Sequence, residues 1–365
     1  MYSSNGTFEQ QLAILISQEA AGNFCFSPLS IKWALTQLAF GARGETRSQM
    51  LDTLDFFMHA QDKELFQTIT AYKGLARGGN SPWSLNAAVF AQQGHTILGE
   101  FKAIMQAIGG FGILDFANNN SGATDAINAW ARRAMQNLIP KVLDYGMLAR
   151  DVKLVLAQAV RFADKWQYKF KDEGSRPFYV EGGNSVDAKF ITVNAPLKSF
   201  YTDHFDVLAI PYADGQSHFV IMLPNDSAGN RAWAYYASEM HQALEVVNDG
   251  REELTALHMP EGSLSWGTHD LLDFLRTMGI RVATGPSADF SGIDGSRILF
   301  LSNVFHKCIV SWDKNGTTAG AVTVAVTRSK GAGPAVFDVN KSFYFMIVKD
   351  SQIGFTGYMH DPTAR

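Results

Sequence analysis

The chain has 365 residues, 46% hydrophobic and 18% charged, so it can bury a sizeable core and leaves room for one large or two medium domains. A net charge of −4 with both signs interspersed excludes a broad electrostatic case for nucleic acid or an anionic membrane. No apolar run reaches the length of a membrane span. Met1–Gly6 is short and polar, unlike a signal peptide, which decides nothing about a segment removed upstream.

In chain order, "TFEQQLAILISQ" opens with Thr7 and Gln10 at capping-box spacing and then presents Leu12 and Leu15 on an apolar face, which predicts a helix. "NFCFSPLSIKWALTQLAFG" predicts a short buried strand, then a helix capped by Ser27, with Pro28 at its first position and Gly41 as its stop. Thr46 and Gln49 repeat the capping-box spacing. "TDAINAWARRAMQNLIP" places Ile127, Trp130, Ala131, Ala134 and Leu138 on one face before Pro140. Further on, "THDLLDFLRTMG" predicts a helix with Thr268 as cap and Gly279 as stop. Strands are expected in "LNAAVFAQQ", "KLVLAQAVRFA", "FDVLAIPY", "SHFVIMLP", "ILFLSNVFHKCIVSW", "KSFYFMIVKD" and "IGFTGYM". Helices crowd the first 145 residues and strands the rest, a pattern of α+β type with mainly antiparallel sheets.

No enzyme signature occurs: no G-x-S-x-G elbow, P-loop, G-x-G-x-x-G or H-E-x-x-H. The nine histidines form no ligand cluster, and His258 and His306 in strand-like runs read as hydrogen-bonded core residues. Cys25 and Cys308, the only cysteines, lie in apolar runs and read as small buried hydrophobes. No metal or cofactor site is signalled.

One segment is unusual. From Gly316 to Thr327 there is no charge, and by strand alternation Thr317, Ala319, Ala321, Thr323, Ala325 and Thr327 make one face uniformly small. Extended, it spans ~40 Å at ~3.3 Å per residue. A bare edge of that length is an aggregation hazard that proteins ordinarily blunt with charge or proline. It reads either as an ordinary buried strand or as a strand that enters a formed sheet later, when only small inward side chains fit. Arg328, Ser329 and Lys330 then precede the Gly/Pro loop Gly331–Pro334, where an exposed basic residue suits the pocket of a trypsin-like protease.

These residues resemble the serpin family over nearly the whole chain. "DKNGTTAGAVT" resembles its hinge, "VFHKCIVSWDKNG" the strand leading into it, and "FDVNKSFYFMIVKDSQIGFTGYMHDP" its C-terminal signature, with Ser342 where proline is usual. "NFCFSPLSIKWALTQLAFGARGET" and "LVLAQAVRFADKW" resemble the early strand-helix block and the central strand. The resemblance implies a single α+β domain, 1–365, with three β-sheets, a cluster of about eight to nine helices and an exposed C-terminal reactive-centre loop at about 314–336. It implies no enzyme and no cofactor, but a suicide substrate. A protease attacks the loop and forms an acyl-enzyme; the cut loop then enters the central sheet as a new strand and distorts the protease. The native state is held by kinetics.

Carried over by position, Gly316, Thr317, Thr318, Ala319, Gly320, Ala321, Val322 and Thr323 are the hinge, and the scissile bond is Lys330–Gly331, with Arg328–Ser329 as rival. Ser27, Ser30, Gln158 and His306 match the shutter beneath the parting strands, with Gln158 where asparagine is usual. Trp166, Glu261 and Lys314 match the breach, where insertion begins; both charges are reversed from the family's pattern, so a Glu261–Lys314 ion pair within ~4 Å is expected. The expected partner is a target protease held in a covalent acyl complex. It is trypsin-like from Lys330 or Arg328, or papain-like if cleavage follows Thr327 and Val326 is read. The hinge's small residues favour an inhibitor over a non-inhibitory carrier, chaperone or storage protein. A monomer without nucleic-acid or membrane partners is expected. Lys63, Lys73 and Arg77, opposed by Asp62 and Glu64, predict no strong heparin site. Sequons at Asn5, Asn119, Asn225 and Asn315 lean towards secretion, although a glycan at Asn315 would obstruct insertion.

Overall fold

The computed structural model describes residues 6–57, 59–75, 81–94, 96–135, 141–228, 232–317 and 334–364. Helix α1 covers Phe8–Glu19 and strand β1 Phe24–Phe26; α2 (Pro28–Ala39), α3 (Gly44–Thr53) and α4 (Asp62–Leu75) follow. Then come β2 (Trp83–Gln92), α5 (Gly99–Ile108), β3 (Gly110–Leu114), α6 (Asn120–Ala134), β4 (Leu154–Phe162) and the short β5 (Asp164–Lys165). Strands β6 (Lys171–Tyr179), β7 (Ser185–Tyr201), β8 (Phe205–Pro211) and β9 (Ser217–Pro224) precede α7 (Ala232–Ala243) and α8 (Glu245–Asp249). The rest is β10 (Arg251–Pro260), β11 (Gly262–Asp270), α9 (Leu272–Met278), α10 (Ser291–Asp294) and β12 (Leu301–Asp313). After these come β13 (Gly316–Thr317), β14 (Ala335–Asp338), β15 (Phe343–Lys349) and β16 (Gln352–Met359).

The chain forms two compact units, neither contiguous: Met1–Leu12, Pro28–Arg161 and Gly267–Lys307 make the first, and Ala13–Ser27, Phe162–Trp266 and Cys308–Arg365 the second. In the first, strands run in the order β3, β2, β4 and the start of β12, with β4 and β12 parallel from Leu301↔Leu154 to Phe305↔Ala157. Ile127 and Ala131 of α6 are buried as their spacing predicts, while Leu138 and Pro140 lie outside the described residues.

In the second unit the strand order is β1-β16-β15-β9-β8-β7-β10-β14, with β6 also on β7. Two of the three expected sheets are thus joined among the described residues. The reason is the length of β7: its first half pairs with β6 and its last residues pair with β8. β15 is buried at all seven positions because β16 and β9 flank it and both faces are covered; it therefore reads as an unbroken apolar run rather than an alternation. Phe219 stacks on Phe345 (5.3 Å between centroids) and meets Trp312 at 5.0 Å and Trp166 at 5.8 Å, giving a rigid aromatic base at the end of β12.

Local signals held where the bonds they predict are made. The Thr7–Gln10 box closes, with Thr7 N donating to Gln10 Oε1 at 2.9 Å. Two cap assignments are corrected. Thr46 lies inside α3, where its hydroxyl accepts from Asp289 N at 2.8 Å, and Gln49 Oε1 accepts from Arg281 N and Val282 N; both side chains serve distant backbone. Thr268 lies in β11, and α9 starts later, with Asp270 Oδ1 accepting from Leu272 N. Gly279 does stop α9, at φ +126, which favours glycine. Cys25 and Cys308 are buried free thiols, as expected.

Candidate functional site: the hinge slot and the shutter

The bare segment begins inside a sheet. Gly316 and Thr317 form β13, which pairs with β12 (Trp312↔Thr317, Asp313↔Gly316) on one side and β5 (Gly316↔Lys165, Thr317↔Asp164) on the other. Only a small, permissive residue fits this entrance. Gly316 has φ +144, and a Cβ there would lie 2.2 Å from Asp164 O.

Thr317 is 2% exposed, and its hydroxyl lies 2.6 Å from that of Tyr212. Burial pushes the Tyr212 phenol well above its ordinary range, against a smaller opposing effect of the Thr317 bond, so it stays protonated and able to donate. Tyr212 stacks on Trp166 (4.7 Å, 14°), whose indole Nε1 donates to Asp313 O at 2.7 Å. Trp166 thus packs beside β13, against Tyr212 and the end of β12. Asp164 forms the other wall: its carboxylate accepts from Lys165 N at 2.8 Å and Asp214 N at 2.9 Å, while partial burial raises its pKa. Tyr212, Asp164 and Asp172 escaped sequence reasoning. No short-range pattern links Tyr212 to a threonine 105 positions later.

The expected Glu261–Lys314 pair is not made. Lys314 Nζ instead bonds the Asp172 carboxylate of β6. Glu261 is partly desolvated, which raises its pKa first, and Asp313 raises it further; the more exposed Asp172 offers the ammonium a partner at lower desolvation cost. Asn315 is engaged as well: its backbone N and side-chain Nδ2 donate to the Asp313 carboxylate at 2.7 and 3.1 Å, and its carbonyl accepts from Trp166 N.

On the far side of the loop, β14 runs parallel to β10 from Thr255↔Ala335 to His258↔Asp338. Arg176 clamps it, donating to Asp338 Oδ2 at 2.8 Å and to Glu173 Oε1 at 3.0 Å, while His258 Nδ1 meets Glu173 at 2.8 Å. His258 is thus a hydrogen-bonded structural histidine.

Of the shutter residues, His306 and Gln158 come together, with Nδ1–H donating to Oε1 at 3.2 Å. They are the next residues after the last β4–β12 pair, Phe305↔Ala157, so they stand where that ladder stops. Gln158 Nε2 is buried with no partner among the described residues, which costs about 1–3 kcal/mol. Ser30 is buried in α2 of the first unit; Ser27, in the second, donates to Gly354 O at 2.6 Å. Thr318, Ala319, Gly320, Ala321, Val322, Thr323, Arg328, Ser329, Lys330 and Gly331 lie outside the described residues, as does Arg77.

Burial, and secondarily His269, lowers the His306 pKa from 6.5 to about 3. The native state therefore refuses a proton that the unfolded chain accepts below about pH 6.5, so this contribution to stability is complete above that pH and is lost as pH falls towards 3. The expected outcome is an unfolding midpoint that drops with acid in this window, and drops less steeply in His306→Gln. Equal slopes for the two proteins, measured by circular dichroism, would refute it.

Comparison with known proteins places this geometry. The family profile described as Serpin (serine protease inhibitor) matches residues 3–362, and the chain belongs to the serpin family. Leukocyte elastase inhibitor of Sus scrofa is 31% identical, with 94% of both chains covered, and Serpin-ZXA of Oryza sativa subsp. japonica is 28% identical over 98% of this chain and 96% of the relative. Among solved structures, Serpin48 of Tenebrio molitor superposes with a TM-score of 0.85 at 21% identity (97% of this chain, 96% of that one). Human thyroxine-binding globulin complexed with its hormone also reaches 0.85, at 23% identity (99% and 98%). A relative named as an elastase inhibitor and a thyroxine-binding globulin thus share this fold, which leaves the activity to be argued from the site.

Proposed function

We propose that this serpin is a suicide-substrate inhibitor of a trypsin-like serine protease, cleaved at Lys330–Gly331 and trapping the acyl-enzyme by insertion of the cut loop between β5 and β12. What supports the reading is the seating of Gly316 and Thr317: the slot admits a strand at its top, and the residues that follow are small and uncharged through Thr327. The basic pair Arg328 and Lys330 supplies the specificity. A second reading, an elastase-like target, is favoured by relatives named leukocyte elastase inhibitor and by the neutral run Val322–Thr327. The expectation of secretion rests on secreted members being commonest in the family and on the sequons, and the engaged Asn315 amide speaks against a glycan there.

Incubation with trypsin tests the proposal. The expected product is a complex that survives denaturing electrophoresis, with a released C-terminal fragment that begins at Gly331 by mass spectrometry. Clean cleavage without a complex would make the protein a substrate. A fragment beginning within Val322–Thr327, obtained with elastase alone, would establish the second reading.

A further inference from the structure

The second unit carries a cleft of about 380 Å³ that the inhibitory reading does not use. It lies between the ends of β6 and β9, the first residue of α7, the approach to β15, and Tyr358 of β16. Its floor is held by direct bonds. Tyr179 N donates to Asn340 O at 2.8 Å and Ser342 N to Tyr179 O at 3.1 Å. Glu181 N donates to Ser342 Oγ at 3.0 Å, and the Tyr358 hydroxyl to Glu181 Oε2 at 2.6 Å.

Two features of the lining call for a ligand. The first is aromatic. Tyr358 ends a column of rings, Tyr236–Tyr344–Tyr358, with centroid separations of 4.2 and 4.5 Å. Tyr179, by contrast, is 53% exposed, and its ring has no aromatic partner among the described residues. The second is electrostatic. Lys341 and Asp226 both line the cleft, and neither side chain has a hydrogen bond or ion pair among the described residues. Asp206 feels both: burial raises its pKa, Lys341 lowers it and Asp226 raises it. A largely apolar cleft with a few converging polar groups is the ordinary form of a small-molecule site.

We propose that this cleft binds a zwitterionic aromatic molecule of the aromatic amino-acid class, its ring against Tyr179 and Tyr358, its carboxylate on Lys341 and its ammonium towards Asp226. A lone cation would suit any acid and a lone anion any amine; one of each on the lining of one cleft, with no hydrogen bond or ion pair among the described residues, favours a ligand that carries both. Phosphate-rich ligands are disfavoured because Lys341 is accompanied by Asp226 and Glu181.

The test needs no protease, so it is independent of the inhibitory reading. The whole protein is titrated by calorimetry with L-tryptophan, tryptamine and indole-3-propionate, which share an indole ring and differ in charge. L-tryptophan is expected to saturate with a midpoint below about 1 mM, the range open to a ligand of this size. Each singly charged probe should bind about five-fold more weakly, the scale of one partly exposed ion pair. Lys341→Ala should bring L-tryptophan to the affinity of tryptamine and leave tryptamine unchanged. Asp226→Ala should do the same relative to indole-3-propionate. Neither side chain has a hydrogen bond or ion pair among the described residues, so the unfolding midpoints of the variants should match the parent and certify the fold. No saturable binding of L-tryptophan up to about 10 mM, equal binding of the three probes, or binding that persists in the double variant would overturn the proposal.

Discussion

Thr317→Arg is expected to abolish the protease-resistant covalent complex while leaving cleavage at Lys330–Gly331 intact. In the proposed mechanism, trapping is a race between hydrolysis of the acyl-enzyme and entry of the loop into the sheet. Thr317 is the residue on which entry turns: it is 2% exposed, wedged between Asp164 and Trp312, and bonded through its hydroxyl to the buried Tyr212. Arginine there must bury an extended cation beside an indole and a protonated phenol, with the Asp164 carboxylate already occupied by two backbone donors. An uncompensated buried charge costs about 3–5 kcal/mol, which slows entry by about 10²–10³ or more if the cost falls in the transition state. Hydrolysis then wins. Denaturing electrophoresis should show only cleaved inhibitor, and the protease should recover full activity. A complex at the parent stoichiometry would mean that Thr317 stays seated throughout, so that the cost is shared by the native hinge and does not fall on insertion. Tyr212→Phe gives the milder companion: it removes one hydroxyl bond, and the stoichiometry of inhibition should shift by less than about ten-fold.

Lys330→Ala is the second large effect. In a trypsin-like protease the residue before the scissile bond is read by a carboxylate at the bottom of a closed pocket. Removing the cation leaves that carboxylate desolvated and unpaired, a loss of about 2–5 kcal/mol, so the rate constant for trypsin inhibition should fall by about 10²–10³. Arg328→Ala should change it by less than about three-fold, since that residue lies outside the pocket in this register. The reverse ranking would move the cut to Arg328–Ser329. Measurement of progress curves with trypsin and with elastase in parallel separates the readings, because Lys330→Ala should spare or improve inhibition of an enzyme that accepts a small neutral residue.

The contrast between these two predictions reflects what the residues themselves encode. In the proposed reading Lys330 is the bait by chemical type alone, and that is legible without coordinates. Thr317 is legible as a member of a small-residue face, but its partner is not. Tyr212 closes an ordinary strand in "FDVLAIPY", and nothing within a few residues marks its hydroxyl for the hinge. The charges around the breach were the least readable. Matching signs suggested Glu261 for Lys314, yet sign says nothing of desolvation. The ammonium takes Asp172, which is 64% exposed at its side chain, rather than a carboxylate already crowded by Asp313. The caps behaved alike: Thr7 and Gln10 bond within their own turn, whereas Thr46 and Gln49 serve backbone more than two hundred residues away.

The sequence by itself determined the α+β class, most strands of the second unit, the burial of both thiols and the small, uncharged hinge that marks this chain as a serpin. These are properties of composition, alternation and local bonding, which act over a few residues and leave their period in the chain. Only the tertiary structure decided that β7 joins two sheets, that Lys314 pairs with Asp172, that Gln158 Nε2 has no partner among the described residues at the end of the β4–β12 ladder, and that Thr317 is locked on Tyr212. Each depends on which distant groups share a dry space and which remain in water, and that is set by packing rather than by neighbours along the chain.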